Sequence, residues 1–171
     1  MRNKKRFEPL TLQEIVRVEL IKAMPEGGYA DPAALDVDDL IVNNGRIFLA
    51  RRIAGGDAQT VPGSAMAYMA VGTVSTAPTL VDSLLTGEVA GGRKALAANS
   101  ANVDNIYTAV CTWGGVADSV TSFDLVEAGI FNHASSGQGT MFQRVTFAAV
   151  TLADSDLLKI TLETNVGSNT I

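Results

Sequence analysis

His133, Ser135 and Ser136 fall together in the stretch Asn132-His-Ala-Ser-Ser-Gly137. An imidazole within hydrogen-bond reach of a hydroxyl is the raw material for a nucleophile and its base. The serines, however, lie in a glycine- and serine-rich turn, with no strand-to-helix elbow around them and no acid placed to orient the ring. His133 therefore reads as an exposed turn residue. Glu88 and Glu127 are the carboxylates nearest to a motif, but nothing in their spacing pairs them as acid and base across a sugar cleft. Asp36, Asp38 and Asp39 have the Asp-x-Asp spacing of a calcium loop without its glycine or its distal glutamate. One histidine and one cysteine do not make a zinc site. Gly91-Gly92-Arg93-Lys94 is glycine-rich and basic but lacks the Gly-x-x-x-x-Gly-Lys phosphate loop, and reads as the entry to a strand. The chemistry thus points away from an enzyme, with no catalytic residue, cofactor or metal expected.

The elements that would position any site are short strands. Residues 9–24 are ambiguous. Thr11-x-x-Glu14 has the form of a helix capping box, yet Val16, Val18 and Leu20 alternate with Arg17 and Glu19, which favours an extended arm or edge strand. Asp31-Pro32 opens a loop. Asn44 is placed to cap a short helix whose stripe would be Ile47, Leu49 or Ala50, and Ile53; Arg51-Arg52 suits its C-terminus and Gly55-Gly56 its end. Strands are predicted over 65–71, 93–98, 106–113, 123–131, 140–150 and 158–162, with a long loop over 73–92 that holds a helical turn at 82–85. In 106–113 apolar residues occupy both faces, which predicts cover on two sides by a second sheet or a neighbouring subunit. In 140–150, Met141, Val145 and Phe147 would face inward and Arg144 and Thr146 outward. The cleanest alternation is Leu158, Ile160 and Leu162 against Lys159, Thr161 and Glu163.

Strands at this spacing, with no βαβ alternation, predict a mainly β chain. The expected fold is an antiparallel β-sandwich or barrel-like domain with one short helix and an extended N-terminal arm. The expected division is an arm and loop over 1–40, the sandwich with its leading helix over 41–164, and a tail over 165–171.

The chain has 171 residues, 47% of them hydrophobic and 18% charged, with a net charge of -5. That apolar balance tilts toward burial of some surface against partners. The acidic body argues against direct nucleic-acid binding, which depends on neutralising phosphates. Arg2, Lys4, Lys5 and Arg6 concentrate positive charge at one end. They suit either a solvated terminus or an arm lying on an acidic partner surface. Cys111 is the lone cysteine, so no disulfide within the chain is possible, and it reads as a buried small hydrophobe. No apolar run reaches the roughly 18 residues of a membrane span, and no apolar region follows the basic residues as in a signal peptide.

Several pieces, in order, carry a resemblance. They are Met69-Ala-Val-Gly-Thr73, Thr76-Ala-Pro78, Leu84-Leu-Thr-Gly-Glu-Val-Ala90 with Arg93, and Tyr107-Thr-Ala-Val110. Then come Glu127-Ala-Gly-Ile-Phe-Asn132, Gly139-Thr-Met-Phe-Gln-Arg144 with Phe147, and Asp156-Leu-Leu-Lys-Ile-Thr-Leu162. The set resembles a β-sandwich domain of tailed-phage virion proteins, as in capsid decoration (cement) proteins and tail-fibre or collar components. Asn43-Asn-Gly-Arg-Ile-Phe-Leu-Ala-Arg-Arg-Ile53 resembles the short helix that often leads into it. The resemblance covers roughly residues 40–163 and brings no catalytic site with it. It implies a decoration protein on the outer surface of a capsid assembled in a bacterial cytoplasm. Its partners would be the major capsid protein and further copies of itself, a trimer favoured, joined through apolar strand faces. The chain carries no fibre shaft and no heptad or collagen-like repeat, which places a tail, collar, fibre or baseplate role second and an enzyme or other binding module third. The residues expected to touch partners are Arg2, Lys4, Lys5 and Arg6, with Val16, Val18 and Leu20 adding a strand to an exposed edge of the shell protein.

Overall fold

The clean alternation near the C-terminal end becomes the centre of a sheet. The computed structural model describes residues 12–35, 37–53, 65–101 and 106–166. Leu157–Val166 (β10) buries Leu158, Ile160 and Leu162 completely and leaves Lys159, Thr161 and Glu163 half-exposed. This is what a period-2 pattern produces when one face is wet. Leu12–Ile21 (β1) and Ile106–Gly114 (β7) flank β10, both antiparallel, with Val18 opposite Ile160 and Ile160 opposite Cys111. Ala33–Ala34 (β2) lies outside β1, and Ala98–Ala101 (β6) outside β7. Across the way, Lys159 Nζ meets Glu19 Oε2 at 3.0 Å on the wet face.

The second sheet runs Val37–Ile41 (β3), Met141–Thr151 (β9), Asp124–Phe131 (β8), Tyr68–Gly72 (β4) and Lys94–Ala95 (β5), again antiparallel throughout. The two sheets face each other as an antiparallel sandwich, not a closed barrel. Trp113, Met69, Leu125, Ile130 and the inward residues of β10 fill the space between them. The Trp113 indole N–H donates to Gly92 O at 2.8 Å, so the largest core side chain leaves no polar atom unpaired. Cys111 sits in this core, where burial, partly offset by the Lys94 charge, pushes its thiol up to about 11.

Several sequence expectations are corrected here. The segment over 9–24 is a strand from Leu12 on, as its alternation favoured, but it lies within the first sheet between β2 and β10, inside the span expected to be arm and loop. The strand expected over 93–98 is two short ones. Between β5 and β6 the chain changes sheets, with Leu96 N donating to Ala67 O and Ala97 N to Val110 O of β7. No helical turn forms at 82–85; Asp82 N closes a turn on Thr79 O instead.

The helix is present as Asn43–Ile53 (α1); Leu49 of the expected stripe packs against the core, but Ile47 does not, and the side chain of Ile53 lies outside those described. Gly45 and Phe48 face the sheet and Ile47 is 47% exposed. The cause is Gly45: it lies so close to β9 that a Cβ there would overlap the Phe142 carbonyl. That approach rotates the i, i+3 pair of Gly45 and Phe48 inward. The helix start is held by a loop carbonyl, with Asn43 N donating to Leu80 O at 2.8 Å.

Asp156, 3% exposed, ties the end of β1 to the turn before β10. It accepts from Lys22 Nζ (2.8 Å), Ala23 N and Ala153 N (3.0 Å each). Burial alone raises its pKa. The hydrogen bonds from Lys22, Ala23 and Ala153 and the Lys22 charge outweigh it and hold the carboxyl below its ordinary value. A group lowered on folding stabilises above its unfolded pKa, and that contribution is lost as pH falls through the folded one. Asp156→Asn should therefore cost about 1–3 kcal/mol at neutral pH, and it should flatten the fall in stability between neutral and acid pH. Urea unfolding of both proteins across that range measures this; parallel acid limbs would show that Asp156 does not set the dependence.

Candidate functional site

The sequence places Arg144 on a wet face. The structure buries it, 3% exposed, because the outer face of the second sheet is covered by the loop over 73–92. β8 is buried from Leu125 through Phe131 and β9 from Met141 through Phe147. These are the strands covered on two sides, not β7, whose outward residues Thr108, Val110 and Thr112 remain half-exposed.

A guanidinium in such a layer needs counter-charges in contact. Arg144 has two. Its Nε and Nη2 donate to Glu127 Oε2 at 2.9 and 2.8 Å, and its Nη1 to Asp82 Oδ2 at 2.7 Å. Glu127 is completely buried, and its other oxygen accepts from Gly87 N (3.2 Å) and Val74 N (3.4 Å). One carboxylate thus grips both ends of the loop. Space for it is cleared by Gly72, where a Cβ would come within 2.5 Å of Glu127 Oε1. Asp82 in turn accepts from Thr79 N (3.0 Å) and Thr79 Oγ1 (2.6 Å). Burial raises its pKa, but the Thr79 and Arg144 hydrogen bonds and the Arg144 charge prevail and hold it below the usual carboxylate value. Beneath the loop a small apolar cluster forms from Val42, Ala70, Leu85, Phe131 and Met141.

A second guanidinium organises the neighbouring loop. Arg93 makes a two-pronged pair with Glu88, Nε to Oε1 and Nη2 to Oε2, both at 2.7 Å. Its Nη1 donates to the carbonyls of Ser135, Gln138 and His133 at 2.8, 2.9 and 3.0 Å. Its Cζ lies 3.8 Å over the Phe131 ring. Planar geometry with five donors suits this role, which an ammonium does not reproduce. Asn132 Oδ1 accepts from Thr140 N at 2.7 Å and closes the base of the same loop. Lys94 plays a lesser part, joining Thr112 O (2.9 Å) to Asp118 Oδ2 (2.8 Å).

The residues singled out in the sequence fall into four groups. Arg2, Lys4, Lys5 and Arg6 lie outside the described residues. Val18 is fully buried opposite Ile160, and Val16 and Leu20 pack against the same core. As side chains they serve this chain's own interior, and Val18 has no surface left for a partner. His133 is exposed, its Nδ1 accepting from Ser135 N at 3.1 Å. Glu88 and Glu127, unpaired in the sequence reading, each belong to an arginine. Among the described residues, no three His, Cys, Asp or Glu side chains gather as a metal site, and no helix is long and apolar enough to cross a membrane.

The sequence reading missed Arg144, Arg93 and Asp82. The available signal was Gln143-Arg144 inside Met141–Phe147, a charge within an otherwise apolar strand, matched by Glu127 within Leu125–Phe131. What this layer does chemically is hold two loops in fixed positions over a sheet. Comparison with protein-family models, curated proteins and solved structures finds no match to the chain.

Arg144→Met should cost about 3–5 kcal/mol, because it strands the Glu127 carboxylate in the layer. Adding Glu127→Gln should recover part of that loss, since the stranded charge goes with it. Urea unfolding of the single and double variants gives the coupling. Amide exchange over residues 74–87 should rise in Arg144→Met; unchanged protection there would mean that Arg144 does not hold the loop.

Proposed function

We propose that this chain is a structural protein of a tailed-phage particle, a capsid decoration protein that binds the outside of the major capsid protein shell and stabilises it. What carries the reading is the ordered set of pieces from Asn43 to Leu162 that resembles such virion domains. Those pieces fall on the sandwich and its loop layer: Met69–Gly72 on β4, Glu127–Phe131 on β8, Met141–Arg144 on β9 and Leu157–Leu162 on β10. The arginines and carboxylates among them hold loops in place, a use suited to a rigid binding module. Contacts repeated over a shell lattice bind by avidity, with each contact weak by itself. The basic residues Arg2, Lys4, Lys5 and Arg6 supply a charge that complements an acidic shell surface.

A tail, collar, fibre or baseplate role is the second reading. The Arg93-anchored loop over 132–139 favours it, since a fixed polar loop on a sandwich end suits receptor or carbohydrate contact.

The test mixes the purified chain with shells that lack it and locates it by electron microscopy after co-sedimentation. Decoration predicts density repeated over the shell surface and many copies per particle; density confined to one vertex or to the tail overturns it. A chain beginning at Leu12 keeps β1 and so should fold, yet it should lose shell binding. Undiminished binding by that chain removes the role given to the basic residues.

A further inference from the structure

The first sheet has one edge that it does not finish. β2 covers β1 only at Glu19 and Leu20, through Ala34 and Ala33, and Leu35 N then donates to Val18 O at 3.1 Å. Among the described residues, no strand pairs with that side of β1 from Leu12 to Arg17. Backbone groups alternate sides along a strand. Since Val18 C=O points away from β10, the N–H and C=O groups of Leu12, Glu14 and Val16 point the same way. Among the described residues this leaves a six-residue edge unpaired and without proline, and Ile15 stands on its outer face at 40% exposure. Exposed edges of this kind are templates for a further strand.

We infer that this edge pairs with the same edge of a second copy, antiparallel about a two-fold axis at Ile15. Charge and hydrogen bonding rule out axes at Glu14, Val16 and Arg17, and the exposed Ile15 side chain, which gains an apolar partner, favours an axis there over one at Gln13. In an isologous antiparallel pair, outward-pointing residues must oppose outward-pointing residues, so the axis falls on a residue and not between two. An axis at Glu14 sets two acidic residues in opposite register positions, and one at Arg17 two basic residues, both unfavourable directly across a ladder. An axis at Val16 would spend its outer pairs on Val18, whose carbonyl already serves Leu35. An axis at Ile15 sets Glu14 against the second copy's Val16, and the reverse, giving about four main-chain hydrogen bonds. It also sets Ile15 on Ile15 as a non-hydrogen-bonded pair on the outer face, and Arg17 on Gln13. The two first sheets become one continuous sheet across the axis. This assembly closes with two copies, in place of a trimer through apolar strand faces, because the inward faces of β1 and β10 are used within the chain itself. It does not depend on the virion reading, and its test needs no shells.

The intact chain in solution should sediment at twice its 17.9 kDa mass, and a single-chain mass at high concentration overturns the proposal. Ile15→Lys and Ile15→Glu should each lose the dimer, and an equimolar mixture of the two should restore it; dimers that survive in each variant alone overturn the register. Ile15→Cys should form a disulfide-linked dimer under mild oxidation. Facing Cα atoms about 4.5 Å apart in a non-hydrogen-bonded pair fall within disulfide reach, and Cys111 is buried away from the edge. Gln13→Cys, set against Arg17, should not cross-link, and equal cross-linking at both positions would place the axis elsewhere.

Discussion

The pairing of Arg144 with Glu127 and Asp82 is the constraint on which the upper half of the molecule depends. A buried ion pair is poor evidence of net stability, since desolvation offsets most of the attraction. Its stronger effect is on position. Once Arg144 is fixed on a central strand, Glu127 must meet it from β8, and the loop over 73–92 must bring Asp82 down and offer Val74 N and Gly87 N to the remaining lone pairs. A loop of this length without its own regular structure would otherwise have many conformations of similar energy. Here its two ends and its middle are each tied to one cluster, and the apolar side chain of Leu85 packs beneath it.

The two sheets consequently have different characters. The first has one dry face and one half-exposed face and is held by ordinary period-2 burial around β10. The second is dry on both faces along Leu125–Phe131 and Met141–Phe147, with the loop as a third layer, so these strands carry charges that must be paired at close range. Arg93 extends the same logic to the loop over 132–139, where one guanidinium serves a carboxylate, three carbonyls and an aromatic face.

That difference explains what was legible in the sequence. β10 was evident because its alternation maps directly onto inside and outside, and the antiparallel sandwich with one short helix followed from strand spacing. β1 was legible as a strand once the Val16, Val18 and Leu20 alternation was weighed above the Thr11-x-x-Glu14 capping signal. Arg144 was misplaced because alternation assumes that the other face meets water, and nothing local announces a loop folded over it. The place of Ile47 on the buried face of α1 was misjudged because Gly45 contributes no hydrophobicity, yet its lack of a side chain is what allows the close approach to Phe142. The split between β5 and β6 was hidden because a run of alanines fits either sheet. The functional reading came from an ordered resemblance and not from chemistry, since the charged residues that sequence analysis could not pair are occupied with the fold.

β1 and β10 are neighbours in the first sheet although nearly the whole described chain lies between them, Leu12 facing Val166. During synthesis β1 emerges from the ribosome with its main partner still unmade, and the loop-closure cost of joining them falls due only when the last strand appears. Such non-local pairing slows folding and leaves an apolar strand exposed to other nascent chains in the interval. The charged residues interleaved along β1 (Glu14, Arg17 and Glu19) then take on a second purpose, keeping an unpaired strand soluble until β10 arrives.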